Sequence, residues 1–325
     1  SSSKETQLSY CLPPTGSLYG SPPGEGTKVG SELDISILLQ LVVGGLAMGA
    51  IYGLIGMGMN LIFNSTGGLN IAQGALVTLG AYAGVTFTVF LKLPVVPAAI
   101  LTIAAMAIVG SIFGYLIYEP VRFAVPTRFM LAALGAGIFI TEMAQIVWGP
   151  IPFVVPRFIR QSSLRFGNLV FDTQNLLILS VLLVVVAIIY MLLNKTQIGL
   201  MMRAVGQSKE VSALMGIPVR TIIRYTFALS TALATVAGVM AGPIFFVTPS
   251  LAVLMSKGFA AAVIGGFGRN VHGVIIGGFI AGVVEVFAAF FISSSYRDAW
   301  GFAFLILFLL VRPRGLFGEA AGEKA

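Results

Sequence analysis

Four side-chain amides, Asn60, Asn64, Asn70 and Gln73, lie within fourteen residues of otherwise apolar sequence. Amides do no acid–base chemistry, but they donate and accept hydrogen bonds without carrying charge. That suits a passage for polar solutes, or the joining of one buried helix to another. Gly67 and Gly68 stand in the middle of the group, where they permit the backbone turns of a broken helix. Glu142 and Gln145 form a second polar pair, three residues apart and so on one helix face. Glu285 stands alone in a later apolar run, where pairing with another buried group is the stronger reading. Polar groups buried in hydrocarbon are costly, so all of these should face protein or a wet cavity. Lining a substrate path and bonding helix to helix both remain open to the amides and to Glu142 and Gln145.

Catalysis lacks its parts. His272 is the only histidine and sits beside Arg269 and Asn270 in a polar break, which reads as solvated loop. Cys11 is the single cysteine, which excludes an intrachain disulfide and makes a cysteine-based metal site implausible. No Gly-x-x-x-x-Gly-Lys-Ser/Thr phosphate loop exists. The run Gly265-Gly266-Phe267-Gly268 lacks the strand, the later glycine and the acidic residue of a dinucleotide site. The chain is therefore expected to carry no catalytic group, no metal and no nucleotide of its own.

The elements that must position these residues are membrane helices. The 325 residues are 57% hydrophobic and 10% charged, with a mean hydropathy of +0.98. Soluble domains carry about 25% charged residues, so the solvent here must be largely lipid. Apolar runs fall at roughly 35–63, 71–91, 95–118, 128–148, 176–193, 221–241, 251–266, 271–292 and 298–312. They are continuous rather than alternating, which argues for helices over a β-barrel. The expected fold is all-α and polytopic, with about 8–9 transmembrane or broken helices. The runs 71–91 and 251–266 contain polar and glycine breaks and are expected to be broken or re-entrant. The stretch from Gly67 to Tyr82 is echoed by Ser256-Lys257-Gly258 and Ile264-Gly265-Gly266-Phe267, which points to two pseudo-repeated halves. Gly45, Gly49 and Gly53 form a ladder at helical spacing, and Gly278 and Gly282 another, as close helix packing in lipid requires.

The net charge of +7 is not a nucleic-acid footprint, because the basic residues lie scattered between apolar runs. Arg122 and Arg128 share one loop. Lys195, Arg203, Lys209, Arg220 and Arg224 share another, Arg269 lies in a third, and Arg312 and Arg314 follow the last run. Nine crossings put these on one side, the cytoplasm, with the N-terminus outside and the C-terminus inside. Residues 1–34, rich in Pro, Gly and Ser, read as a flexible external tail or an appended remnant. The membrane domain covers 35–319, and 320–325 form a short cytoplasmic tail. Arg157, Arg160 and Arg165 fall outside against the trend, as a basic docking rim or as side chains snorkelling to lipid headgroups.

The basic loop 194–220 holds a short helix. Ser208 is a good N-cap, Glu210 lies in the first turn, and Gly216 with Pro218 makes a stop. Val211, Leu214 and Met215 give it one apolar face, which should dock into a groove on a partner or pack on the chain's own helix ends.

Three stretches carry a resemblance: Asn60-Leu61-Ile62-Phe63 with Thr66-Gly67-Gly68-Leu69-Asn70-Ile71-Ala72-Gln73-Gly74-Ala75 and Leu79-Gly80-Ala81-Tyr82; Arg203 to Gln207 through Gly216-Ile217-Pro218; and Tyr296-Arg297-Asp298 with Arg312-Pro313-Arg314-Gly315-Leu316-Phe317-Gly318. In that order they resemble branched-chain amino acid permeases of ABC transporters. The resemblance implies a multi-pass subunit of the bacterial inner membrane that imports a small polar or amphipathic solute, foremost branched-chain or other hydrophobic amino acids. It further implies a second related permease chain, two ATPase subunits holding ATP and Mg, and a periplasmic binding protein. Segment 203–216, with Arg203, Ser208, Glu210, Val211, Leu214, Met215 and Gly216, would be the coupling helix and its approach. Arg157, Arg160 and Arg165 would meet the binding protein. Amino-acid members often carry His-Gly-Glu where this chain has Gln73-Gly74-Ala75, and other members import urea, amides or small organic acids. A carrier or channel acting alone is the competing class, with a driving force from coupled ions. Only Glu142 and Glu285 could serve such an ion.

Overall fold

A continuous apolar run has no water for its peptide groups, so its backbone closes on itself as helix. The computed structural model describes residues 35–122, 125–155, 163–166, 169–268, 271–294, 296–313 and 315–317. The elements run α1 (Ile35–Thr66), α2 (Gln73–Val85), α3 (Val95–Phe113), α4 (Pro126–Trp148), β1 (Ser163–Phe166), β2 (Leu169–Asp172) and α5 (Thr173–Lys195). Then come α6 (Gln197–Gln207), α7 (Lys209–Leu214), α8 (Val219–Phe245), α9 (Leu254–Gly265), α10 (Val271–Phe291) and α11 (Arg297–Val311). A π-helical turn carries α2 on to Phe90, and further turns carry α3 on to Val121. Each of the nine expected runs is a helix. Seven are long and apolar enough to cross a bilayer. At 12 and 15 residues, α9 and α11 are shorter than the ~20 residues of a full span. A 3₁₀ turn, Pro249–Val253, leads into α9.

Two features depart from the sequence reading. The segment 149–175 holds an antiparallel hairpin, β1 on β2, with Arg165 paired to Val170. Four-residue strands are too short to leave a periodicity in hydropathy. The loop 194–220 contains α6 as well as the short helix. Its apolar positions Met202 and Val205 face inward while Leu200 and Arg203 face out.

The packing repeats in matched pairs. α1 lies against α10 as α8 lies against α3, and α1 meets α9 as α8 meets α2. α1 and α8 pack on each other at the centre. Exchanging α1, α2 and α3 with α8, α9 and α10 preserves these pairings, which gives the two halves, although α9 packs on α10 far more extensively than α2 does on α3. The glycine ladders explain how the outer pairs come so close. A Cβ on Gly45 would sit 2.7 Å from the backbone of Val283, and one on Gly278 would sit 2.6 Å from Gly49 O. Only glycine lets α1 and α10 meet backbone to backbone. Buried threonines cost little, because Thr102, Thr226 and Thr235 return their hydroxyls to carbonyls one turn back. The outer faces of α3, α4, α5 and α11 expose Ile108, Ile146, Leu183 and Leu310. Such a surface suits lipid or another apolar chain and would aggregate in water.

Candidate functional site

The amide group divides among three places at the end of α1. Thr66 closes the helix: its hydroxyl donates to Ile62 O at 2.8 Å and accepts from Gly68 N at 3.2 Å. The chain turns at Gly67, whose φ of +77° favours glycine. Asn70 then folds back on itself, its Oδ1 accepting from Ala72 N at 3.2 Å and its Nδ2 donating to Gln73 Oε1 at 3.3 Å. Gln73, fully buried, donates from Nε2 to Ser230 O at 3.4 Å. The Ser230 hydroxyl lies 3.2 Å from Gln73 Oε1 and 2.8 Å from Gly58 O. One amide thus joins α1, α2 and α8, and it fits because Gly58 has no side chain: a Cβ there would stand 2.6 Å from Gln73 Nε2. Asn60 lies apart from this set, also fully buried, and accepts from Gly268 N at 2.7 Å beside the second break. Asn64 alone faces open space.

That space is a cleft of about 770 Å³. Asn64 and Ser65 of α1, Tyr190 and Asn194 of α5, Arg203 and Gln207 of α6 and His272 of α10 form its polar part. Arg203 donates to Asn194 Oδ1 at 3.2 Å, so it braces α6 on α5 rather than belonging to the exposed tip beyond. His272 is exposed, and its ring lies 5.6 Å from that of Tyr190. Glu142 and Gln145 share a face as their spacing requires, with Gln145 Nε2 3.5 Å from Glu142 Oε2. That face of α4 is open in the single chain: Glu142 is exposed together with Met143, Ile146 and Val147. The structure does not bring this pair to Asn70 and Gln73.

The segment 203–216 has the form its residues dictate. Ser208 caps α7, its Oγ accepting from Val211 N at 3.2 Å, and Glu210 lies in the first turn. Gly216 ends it at φ +80°, with Ile217 N donating to Ser212 O at 3.0 Å. Ser212 is the buried residue of this helix, while Val211, Leu214 and Met215 are 58%, 88% and 78% exposed. The apolar face is presented outward and does not pack on the chain's own helix ends. Arg157 and Arg160 lie outside the described residues, and Arg165 is described only as a residue of β1.

Three polar groups escaped the sequence reading. Ser230, the partner of Gln73, is one of several hydroxyls in its apolar run, with Thr226, Thr231 and Thr235, and nothing in the sequence singles it out. Lys257 appears in the sequence only as part of the internal echo, yet it is buried. Its Nζ lies 2.8 Å from Glu285 Oε1 and 2.7 Å from Asp298 Oδ1. Glu285 also accepts from Arg297 Nε at 2.7 Å and from the Tyr52 hydroxyl at 3.2 Å. This cluster ties α1, α9, α10 and α11 and gives Glu285 the pairing expected of it. Lys209, a loop cation by sequence, reaches from α7 to the end of α1. Its ammonium donates to Thr66 O at 2.6 Å and to the Tyr118 hydroxyl at 3.1 Å. Burial there pushes its pKa below the usual lysine value.

Comparison with known proteins agrees over nearly the whole membrane domain. Residues 41–311 match the family described as branched-chain amino acid transport system / permease component. The high-affinity branched-chain amino acid transport system permease protein BraD of Pseudomonas aeruginosa is 31% identical over 300 residues, 88% of this chain and 97% of that protein. LivH of Salmonella typhimurium, of the same description, is 29% identical over 301 residues, with the same coverage of 88% and 97%. A probable branched-chain amino acid transport permease protein LivH of Methanocaldococcus jannaschii is 28% identical over 285 residues, 82% of this chain and 88% of that protein.

Proposed function

Because this chain belongs to the family of branched-chain amino acid transport system permeases, we propose that it is the translocating subunit of an ATP-driven importer of branched-chain or other hydrophobic amino acids. ATP and Mg are held by two partner ATPase chains, and a second permease chain, of this or a related sequence, completes the path. A periplasmic binding protein delivers the solute. The exposed face of α4, with Glu142 and Gln145, is covered by the second permease or borders the path between the two. Asn64 lines the inner cleft, while Asn60, Asn70 and Gln73 shape the breaks on either side of it. The positive-inside pattern supports an external N-terminus and a cytoplasmic α6–α7 segment.

The observation that carries this reading is the tip of α7. An apolar face 88% exposed at Leu214, on a helix capped at both ends, is a surface shaped for a partner. An ATPase subunit gripping Leu214 and Met215 would turn its closure on ATP into a displacement of α7. Leu214→Asp places a charge in that contact and is expected to weaken ATPase binding by about 100-fold or more, since charged intrusions into an apolar hot spot cost several kcal/mol. Pull-down of ATPase chains with detergent-solubilised permease measures it. Full binding together with coupled leucine uptake into proteoliposomes would end the reading. A permease that transports leucine without any ATPase chain would instead favour the lone carrier.

A further inference from the structure

Docking of α7 explains where force enters the chain, not where it goes. Most of α7 is exposed, and its buried anchors are few: Ser212 and the half-buried Lys209. Lys209 opens the helix next to its cap, Ser208, and extends away from the apolar tip. Its ammonium bonds Thr66 O, a carbonyl of the last turn of α1, which has no amide partner inside the helix. A cation at that terminus also meets the negative end of the helix dipole. The second bond goes to the Tyr118 hydroxyl on the extension of α3, whose ring centroid lies 5.7 Å from Nζ. A nearby brace holds the same end of α3 to α8, where Arg220 lies 3.2 Å from Glu119.

Thr66 is the last residue before the turn at Gly67 and Gly68, and Asn70 and Gln73 follow at once. Nothing stands within 4 Å of where a Cβ of Gly67 would be, whereas one on Gly68 would sit 2.8 Å from the Phe129 ring, so the turn is open on one side and packed against α4 on the other. Gln73 stands next along the chain and joins α2 to Ser230 of α8. From these contacts we infer that Lys209 is a positioning residue for coupling: its ammonium is the strut through which displacement of α7 reaches the α1–α2 break. The strut is a point charge on a flexible stem, so the bond can hold while the helix tilts. A carbonyl and a phenol are its acceptors, so the link does not depend on the ionisation of a carboxylate. This inference rests on α7 being the helix that the ATPase grips.

The test uses the complete importer in proteoliposomes, with binding protein and leucine, and reads two quantities. One is the affinity of the ATPase chains for the permease. The other is ATP hydrolysed per leucine imported. Lys209→Met keeps the length of the stem and removes the charge. It is expected to leave ATPase affinity within about twofold while raising ATP per leucine about tenfold, as for mutations along a coupling network. Tyr118→Phe removes one acceptor, leaves the ring, and should raise the ratio by a smaller factor. It also serves should Lys209→Met not fold. A Lys209→Met or Tyr118→Phe importer with wild-type ATP per leucine overturns the strut. So does loss of ATPase affinity in Lys209→Met, which would make Lys209 a docking contact. If Leu214→Asp stays coupled, the reading of α7 itself fails. If Leu214→Asp uncouples while Lys209→Met is silent, only the strut is lost.

Discussion

At the first break, between α1 and α2, the side chains that join α2 to α8 are neutral, Asn70, Gln73 and Ser230, and the charge that reaches the break, Lys209, comes from α7 and meets a carbonyl. At the matching place in the second half, Lys257, Glu285, Arg297 and Asp298 form a knot of charges around Tyr52. The same architecture is thus held by two kinds of bond. Neutral hydrogen bonds contribute only about 1 kcal/mol each and exchange readily with water, so such a junction can loosen and re-form. Lys257 and Glu285 are buried, while Arg297 is partly and Asp298 largely exposed; separating the buried pair strands a charge in a medium that solvates it poorly. On this contrast the first junction is expected to loosen at lower cost than the second.

The contrast can be broken at its stronger end first. Glu285→Ala leaves Lys257 and Arg297 without their common acceptor and should destabilise the chain by about 3–5 kcal/mol. Thermal unfolding of the purified permease measures it, and an unchanged midpoint would show that the knot does not hold this junction. At the weaker end, Gln73→Ala or Asn70→Ala should cost only about 1 kcal/mol of stability. Leucine uptake should nevertheless fall several-fold with the complex intact. Normal uptake in both variants would make these amides simple helix-to-helix bonds. The smallest effect is expected at Arg157 and Arg160 if they meet the binding protein as proposed, since rim charges tune encounter more than affinity. Replacing both Arg157 and Arg160 with Glu should slow binding-protein association about two- to threefold at low salt, the difference vanishing at high salt. An on-rate that does not change leaves these arginines to the lipid headgroups.

Most of this frame was legible in the residues. Nine apolar runs became nine helices because in lipid the backbone has no alternative to helix. The cap at Ser208 and the stop at Gly216 followed from local rules that need no tertiary context, whereas the outward direction of Leu214 was decided only by the packing. The partners of buried groups were not legible. Gln73 and Ser230 are 157 residues apart, Lys257 and Glu285 are 28 apart, and nothing along the chain says which will meet. Hydropathy marks Lys209 as a loop cation, although packing of the α1 and α3 ends draws it half out of water. The four amides read as one cluster because they are close in sequence. A turn at Gly67 and a helix that faces several neighbours sent them to three different places.

The bare tip of α7 also bears on the life of the chain before assembly. If α7 is the ATPase contact proposed above, a newly made copy carries an apolar knuckle without its mate until an ATPase arrives. Chaperones and proteases recognise such surfaces, so an orphan copy is open to quality control and its survival depends on pairing. The same few side chains proposed to receive the power stroke would then also keep the numbers of permease and ATPase in step.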